Sequence, residues 1–489
     1  MSSTTDTRDR IVSYVTDVEG DGAYLDRFVE RSTVLTHEPT EPRVMPSDGV
    51  FFPYEHRLAF TDDRAHLVHG GDVWDKGGND LYVIRQLLDL KERHPDRVHL
   101  IMGNRDINKL RILQELGLFD PLPPHRGVYW LKGTGRPGDP DLDDKSVPND
   151  SAVDRLIWML TQTMGCPDSF DLRRQELMNE RHFVGAGSRI DTDSRSLSSS
   201  SSTEEVTPED VVQSYRWSCH PLVGEMGQYL SQAKIALRMG DVLFTHGCLP
   251  LTTDVLSAAR QFQSSSLSPP GSFWDDFSFA MPWLQHQRNN LDQHKDGGSS
   301  FSSPETTVDN ANDWIDALNK FAAEDIQAWA ENAVAADVVG YVPEGAWATV
   351  GTFGYWPSRK SSSYGRLLQY VMRRMPSMHP TPTVVSNTWM KNGMPRQFFP
   401  TVQDKDDRMF ASLTGEFFDV ADLRLIVTGH KPVGDMPTPI RVNNDKWVIS
   451  CDTSYSGDVL WLDENGREVS KPGTGRGSAT SARGDVAVR

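Results

Sequence analysis

The chain has 489 residues, which is room for one large domain with insertions or for two or three domains. Its formal net charge of -18 argues against a nucleic-acid polymer or an anionic membrane surface as a partner. The 4 cysteines form no CxxC pair, which argues against a disulfide framework and a zinc finger. Because the start is polar and no run approaches the ~18 apolar residues of a membrane helix, we expect a cytoplasmic protein without a signal peptide.

The first part of the chain alternates strand patterns with helix patterns. We expect an irregular excursion over residues 37–63, apart from one strand within it. An alternation of this kind is typical of an α/β fold that carries its site residues at strand ends. The predicted elements are strands at 11–18, 58–60, 65–69 and 97–102, and helices at 24–29, 82–90 and 107–113.

Two long insertions interrupt this pattern in the rest of the chain. The first contains a predicted helix at 153–164 and a serine run at 193–205 that we expect to be disordered. The second has predicted helices near 311–335 and 364–374, and we interpret it as a cap. The predicted divisions are the first half of the core (11–132), the first insertion (133–232), a core hairpin (233–259), the inserted cap (260–420), the C-terminal core strands (421–470, with 446–450 and 458–462 closing the sheet) and a disordered tail (471–489).

Five predicted strand ends carry polar residues of the kinds that bind metal ions. The stretch from His66 to Gly77 shows the pattern best, because a short strand runs into Gly70-Gly71 and then into two carboxylates. Carboxylates, an amide and imidazoles suit a pair of divalent first-row metals, with Asp72 placed to bridge them. No GxSxG motif suggests serine chemistry instead. The strand-end residues are Asp17, Glu19, Asp72, Asp75, Asn104, Arg105, Asp106, His246 and His430.

These motifs, taken in order, resemble the five blocks of the calcineurin-like metallophosphoesterases. The blocks are Asp17-x-Glu19-Gly20, Gly71-Asp72-x-x-Asp75-Lys76-Gly77, Gly103-Asn104-Arg105-Asp106, His246-Gly247 and Gly429-His430-x-Pro432. The segment from Ile449 to Thr453 is similar to the strand after the last block in the phosphoprotein-phosphatase branch, which includes Ser/Thr phosphatases and symmetrical diadenosine tetraphosphatases. The resemblance covers about half of the chain. It implies an α/β fold with a two-sheet β-sandwich core flanked by helices, into which the cap is inserted.

The resemblance also implies a catalytic apparatus. It implies two divalent metal ions, with manganese expected and magnesium, iron or zinc as alternatives, and a metal-bridging hydroxide that attacks phosphorus. Arg105 and Lys76 would face the phosphate, and Asp75 would orient the residue at position 105. The implied ligands are Asp17, Glu19 and Asp72 at the first metal, and Asp72, Asn104, His246 and His430 at the second.

Two residues depart from the family pattern. Glu19 stands where a histidine is usual, which makes the first site all-oxygen and favours Mn²⁺ or Mg²⁺ over softer metals. Arg105 stands where the family's histidine is implied to protonate the leaving group. Arginine keeps its proton, so it can stabilise phosphoryl charge but cannot act as a general acid. We therefore expect Asp75 to pair with Arg105, and leaving groups that need no proton, such as an aryl oxide or a nucleotide phosphate.

The sequence leaves several alternatives open. The substrate is a phosphomonoester, in a small molecule or a phosphoprotein, or a nucleotide pyrophosphate. Glu19 would be a solvated turn residue if only one metal were bound, and Asp106 fits a helix N-terminus better than a metal site. The rival function is that of a catalytically impaired binding or regulatory protein, in which Glu19 and Arg105 mark lost chemistry.

Overall fold

The computed structural model describes most of the predicted core and parts of both insertions. No helix in these ranges is long and apolar enough to cross a membrane. The described residues are 10–44, 51–122, 148, 150–187, 205–249, 309–339, 366–371, 383–391, 394–396, 398, 405–432, 436–453, 458–462 and 468–472.

The first half of the core alternates strands and helices as predicted, and three of its strands form a parallel sheet in the order β1-β6-β7. The expected irregular excursion is wrong in part, because β2 pairs with β5 and β3 with β4. β3 and β4 have only 2 residues each, which is too short for an alternation of buried and polar residues to stand out in the sequence. The elements are β1 (Ile11–Val15), α1 (Gly22–Arg31), β2 (Leu35–Pro39), β3 (Arg43–Val44), β4 (Phe51–Phe52), β5 (His56–Phe60), β6 (Ala65–His69), α2 (Asp80–Arg93), β7 (Val98–Leu100), α3 (Asn104–Asn108) and α4 (Leu110–Leu116).

The second half contributes a sheet of five strands. Its order is β13-β14-β12-β9-β8, in which β9, β12 and β14 run parallel and the two outer strands run antiparallel. The elements are α5 (Ala152–Trp158), a π-helical turn (Met159–Met164), α6 (Ser169–Gly187), α7 (Pro208–Ser218), α8 (Glu225–Gln232), β8 (Ala236–Met239), β9 (Val242–Thr245), α9 (Asp309–Val339), α10 (Arg366–Val371), β10 (Met390–Lys391), β11 (Met394–Pro395), α11 (Lys405–Val420), β12 (Leu425–Thr428), β13 (Thr438–Arg441), β14 (Trp447–Ser450), β15 (Asp458–Leu462) and β16 (Glu468–Pro472).

One strand assignment needs correction. The prediction that 458–462 closes the core sheet is wrong within the described ranges, because β15 pairs with β16 in a separate two-stranded sheet. A local pattern indicates that a segment is a strand but does not identify its partner. The predicted tail begins inside β16, which ends at Pro472. The serine run at 193–204, most of the cap and the tail after 472 lie outside the described residues.

The two larger sheets pack against each other through a small apolar cluster. The rings of Tyr14 on β1 and Phe244 on β9 stack with their centroids 5.8 Å apart. Val68 on β6 and Val427 on β12 are buried in the same cluster. The fold is therefore mixed α/β, and the carboxyl ends of β1, β6, β7, β9 and β12 supply the turns that carry the predicted site residues.

The helices of the first insertion belong to the main core. Leu156 of α5, Tyr215 of α7 and Tyr229 of α8 are each at most 1% exposed and lie in the large hydrophobic cluster that also contains α2 and α4. Burial of this kind is what holds a helix to a domain, at roughly 1.5–3 kcal/mol per large apolar side chain. These helices consequently lie close enough to the first sheet to influence its strand-end turns.

Candidate metal centre

The turns that follow the strands have unusual backbone conformations at the predicted ligands. Asp17, Glu19, Asp72 and His430 have φ values of 53°, 47°, 53° and 78°. Among the described non-glycine residues only Asp422 shares this left-handed region. Such conformations cost of order 1–3 kcal/mol each and are concentrated at functional sites. The strain therefore indicates a function at the same residues that the motifs single out.

Two glycines allow these turns to approach each other closely. A Cβ atom on Gly103 would lie 2.3 Å from the backbone nitrogen of Asp72. A Cβ atom on Gly429 would lie 2.2 Å from Oδ2 of Asp17. Only glycine leaves room for such contacts. The glycine of the third motif therefore lets it approach the second, and the glycine of the fifth motif lets it approach the first.

The predicted metal ligands form two groups that share one carboxylate. Asp17, Glu19 and Asp72 offer one ligand atom each, and these atoms all lie within 4.8 Å of one another. Asp72, His246 and His430 meet the same limit. Asp72 thus belongs to both groups, which is the position that the sequence predicted for a bridging ligand.

Hydrogen bonds orient the two candidate imidazole ligands, His246 and His430. The Nδ1–H of His246 donates to the carbonyl oxygen of Gly70 over 2.9 Å, which turns Nε2 toward the strand-end turns. That Nε2 lies 3.4 Å from Oδ2 of Asp72 and 3.1 Å from Oδ1 of Asn104. Nδ1 of His430 lies 2.8 Å from the same Asn104 oxygen. A carbonyl that fixes the far nitrogen of a histidine is typical of metal-binding imidazoles.

The charge balance of these residues fits divalent cations. Burial and the neighbouring Asp72 raise the pKa of Asp17 to about 6, against the opposing effect of His246. Burial alone would lower the pKa of His246, but Asp72 and Asp17 outweigh it and raise the value to about 10. Asp452, which is 1% exposed, adds another carboxylate, and its Oδ1 has no hydrogen-bond partner within the described ranges. Buried carboxylates in such number call for cationic partners, and carboxylate oxygens together with imidazole nitrogens are donors that fit divalent first-row metals.

The three predicted catalytic residues lie together around Glu19. Lys76 Nζ is 2.8 Å from Oε2 of Glu19, and Arg105 Nε is 2.8 Å from its Oε1. Nη1 of Arg105 bonds to Oδ2 of Asp75, so the expected pairing of these two residues is present. Glu19 is 5% exposed. The alternative of a solvated turn residue at position 19 is therefore wrong, while the roles of all four residues stay predictions.

Asp106 binds backbone N–H groups of the second and third motifs. Its carboxylate accepts hydrogen bonds from the backbone N–H groups of Gly103, Asp72 and Val73, each over 2.8 Å. Asp106 is fully buried and is not part of either group of candidate metal ligands. It therefore joins the second and third motifs at the start of α3, in agreement with its interpretation as a residue of the helix N-terminus.

Replacing Asp106 by alanine should destabilise the protein strongly. The substitution leaves three buried N–H groups without their acceptor, and each such group costs on the order of 1–3 kcal/mol. Urea denaturation followed by circular dichroism measures the free energy of unfolding. The matched control is Asp63→Ala, because the side chain of Asp63 is fully exposed and its loss should change stability by no more than about 0.5 kcal/mol. Equal stabilities of the two variants would contradict this role of Asp106.

Helix α6 of the first insertion holds the start of α2, just after the second motif, and the sequence did not reveal this role. Glu176 accepts hydrogen bonds from the backbone nitrogens of Leu81 and Tyr82 over 2.8 and 3.1 Å, and thus caps α2. Arg173 Nη2 lies 3.3 Å from Oδ2 of Asp80 in the same turn. These contacts span more than ninety residues of sequence, as the separations of 94 and 95 residues for Glu176 show. Local patterns carry no signal for contacts at that range.

Comparisons with known proteins give no family assignment. No family model matches the sequence. A comparison with curated proteins likewise gives no match.

Some solved structures resemble the chain weakly. A cold-active protein tyrosine phosphatase aligns at 14% identity with a TM-score of 0.32, over 95% of this chain and 76% of its own length. A cold-active protein-tyrosine phosphatase of a psychrophilic Shewanella aligns at 15% identity with a TM-score of 0.33, over 95% of this chain and 78% of its own length. A mutant cold-active protein tyrosine phosphatase aligns at 13% identity with a TM-score of 0.34, over 94% of this chain and 80% of its own length. TM-scores below 0.5 establish no shared fold, so the function has to be argued from the site itself.

Proposed function

We propose that this protein is a metal-dependent phosphoesterase of the calcineurin-like type. The observation that carries the proposal is the position of Asp72, whose carboxylate belongs to both groups of candidate metal ligands. A carboxylate that can bridge two cations is the central feature of a site that binds a phosphoryl group between two metals. The packing of the two larger sheets supports the two-sheet core that this class implies.

The residues present would hold two divalent ions. Asp17, Glu19 and Asp72 supply oxygen donors for one, and Asp72, with the imidazoles of His246 and His430, supplies donors for the other. Asn104 adds an amide oxygen beside both imidazoles. Such a metal pair, when bound, supplies Lewis acidity toward a phosphoryl oxygen and an activated water. The imidazole of His246 must be unprotonated at Nε2 to bind, so protons and metal compete for it.

Arg105 and Lys76 would act on the charge of the substrate. Both are bound to Glu19, and their side chains are partly exposed, Lys76 by 19% and Arg105 by 22%. Asp75 and Glu19 raise the pKa of Arg105 against the effect of burial, so it remains a cation at every physiological pH. A fixed cation stabilises charge that develops on the phosphoryl group but delivers no proton to the leaving group.

This chemistry favours substrates with stable leaving groups. An aryl oxide or a nucleotide phosphate departs without a proton, whereas the alkoxide of a serine needs one. We infer a phosphomonoester of an aryl group, in a small molecule or a phosphoprotein, or a nucleotide pyrophosphate. A protein that hydrolysed phosphoserine peptides faster than either of these would contradict the inference.

The rival function is a regulatory protein that keeps the fold and has lost the chemistry. The strained conformations of Asp17, Asp72 and His430 weigh against it, because a site without a ligand gains nothing from that strain. The simultaneous presence of carboxylate, amide and imidazole donors weighs against it for the same reason.

Metal removal followed by metal addition tests the proposal. Chelator-treated protein should hydrolyse p-nitrophenyl phosphate or bis-p-nitrophenyl phosphate only after addition of Mn²⁺, Mg²⁺ or Zn²⁺, with Mn²⁺ the most effective. The ratio of the two rates distinguishes monoesterase from diesterase activity. The melting temperature should also rise with metal, since a ligand at 100 times its Kd stabilises by about 2.7 kcal/mol. A melting temperature that rises with metal, without turnover of either ester or of a nucleotide pyrophosphate, would favour the regulatory protein.

A further inference from the structure

Asp75 divides its carboxylate between two cations. Oδ2 bonds to Nη1 of Arg105, and Oδ1 bonds to Nζ of Lys109. The Asp75 side chain is 0% exposed. Burial would raise its pKa, but Arg105 and Lys109 outweigh burial and lower it, so the carboxylate is ionised. An ionised carboxylate at such a depth is tolerated only with partners on both oxygens.

Lys109 is an unusual lysine. It lies at the junction of α3 and α4 and is 1% exposed. Burial would lower its pKa, but Asp75 outweighs burial and raises it, so the amine is charged. Within the ranges that the structure describes, Nζ makes its ion pair and its hydrogen bond with Asp75 alone, and with none of the candidate metal ligands. The contacts that connect Lys109 to the candidate metal centre therefore run through Asp75.

The backbone of Asp75 is held as firmly as its side chain. The hydroxyl of Ser169, at the start of α6, donates to the carbonyl oxygen of Asp75. The backbone N–H of Asp75 donates to Oδ1 of Asp80 over 3.3 Å. Within this anchored residue, the rotation of the carboxylate is fixed by Lys109 on Oδ1 and by Arg105 on Oδ2. The rotation of that carboxylate sets the position of its other partner, Arg105.

We propose that Lys109 is a positioning residue, which acts on phosphate-ester hydrolysis by holding Asp75 so that Asp75 holds Arg105. The proposal rests on the proposed function for its catalytic part. Nε and Nη1 of Arg105 are occupied by Glu19 and Asp75. With Oδ1 of Asp75 unpaired, the guanidinium would turn to bind both oxygens of Asp75 and would leave Glu19, because a bidentate pair is the stronger arrangement. Arg105 would then no longer be aligned with the substrate.

A double-mutant cycle tests the proposal. Lys109→Met removes the charge and retains the length of the apolar stem. We expect kcat to fall by about 10- to 100-fold, the range that a misplaced catalytic group causes, with KM changed less and metal content unchanged. Arg105→Met should cause a similar or larger loss. Because Lys109 acts through Arg105, the double variant should be no slower than Arg105→Met alone.

Two further variants control the experiment. Lys91→Met removes a lysine that bonds only to the backbone carbonyls of Pro95 and Val98 within the described ranges, and it should leave the rates unchanged. Lys109→Gln retains a hydrogen-bond donor for Asp75, so it serves if the methionine variant does not fold. Lys109→Gln should reduce kcat by less than tenfold. Like Lys109→Met, it should have this effect only in a protein that retains Arg105. The proposal would be overturned if adding Lys109→Met to Arg105→Met lowered kcat by the same factor as Lys109→Met lowers it in the wild-type protein.

A measurement without substrate separates this proposal from the proposed function. The Nε–H of Arg105, paired with Glu19, should give a sharp ¹⁵N NMR signal in the wild-type protein, and Lys109→Met should broaden or shift it. Wild-type protein that turns over no ester with any metal would refute the function but leave this result informative. An Arg105 signal that is identical in wild type and Lys109→Met would overturn the positioning role, whatever the activity.

Discussion

Replacing Asp72 by asparagine should reduce metal-dependent turnover by at least about a hundredfold and lower the amount of metal bound. Asp72 is the one carboxylate common to both groups of candidate ligands, so its neutralisation weakens the attraction for both ions. Asparagine retains the size of the side chain and the oxygen that accepts the hydrogen bond from the Arg105 backbone N–H over 2.8 Å. The variant should therefore fold. Metal content by mass spectrometry and steady-state kinetics with p-nitrophenyl phosphate measure the two effects.

Asp89→Asn is the matched control for this prediction. Asp89 is also a buried aspartate, 1% exposed, but it pairs with Arg43 and Arg93 at the far end of α2. Its neutralisation should reduce stability and leave metal content and kcat near the wild-type values. If Asp72→Asn bound the same amount of metal and turned over at the same rate as Asp89→Asn, Asp72 would not be a bridging ligand.

Replacing Arg105 by histidine should change which leaving groups the protein accepts. An imidazole next to Asp75 would be oriented by that carboxylate and could donate a proton, which Arg105 cannot do. General acid catalysis contributes typically about 10²–10⁴-fold. We therefore expect the ratio of alkyl to aryl phosphate hydrolysis to rise by about 10²-fold in Arg105→His. The slope of kcat/KM against leaving-group pKa, measured with a series of phosphate monoesters, should become shallower.

The control for this substitution is Arg105→Met, which removes the cation and supplies no acid. It should slow all substrates by a similar factor and leave the slope as steep as in the wild type. A wild-type slope that is already shallow would mean that some other residue protonates the leaving group. The inference of a substrate that needs no proton would then be wrong.

Much of the candidate site could be predicted because metal ligation restricts residue types. Few side chains can replace Asp72, His246 or Asn104 in a metal centre, and each follows a recognisable strand. The pairing of Asp75 with Arg105 could be inferred from the family resemblance, which implies that Asp75 orients the residue at position 105, together with their opposite charges. The turns that carry Asp72 and Asn104 follow β6 and β7, which are parallel neighbours in one sheet. The packing of the second sheet against the first brings the turn after β9, with His246, to the same place.

The supporting residues could not be predicted, for a physical reason. In the sequence, Lys109 follows Ile107 and Asn108 in a helical pattern, where a lysine is ordinarily solvated. Its burial depends on Asp75, which lies 34 residues away, and on the packing of helices around both. Glu176 and Asp452 were unrecognised for the same reason, since burial of a charged residue is decided by tertiary contacts. Strand partners, such as that of β15, are equally non-local.

One hydrogen bond of the candidate site joins residues that are synthesised far apart in time. The backbone N–H of His430 donates to Oδ2 of Asp17 over 3.0 Å, across 413 residues. Synthesis supplies Asp17 and Glu19 long before His430, and native contacts form only once both of their segments are available. A nascent chain therefore contains Asp17 and Glu19 before it contains the His430 backbone N–H and the imidazoles of His246 and His430. The full set of candidate metal ligands exists only after residue 430 has been synthesised, so we expect shorter nascent chains to bind metal weakly.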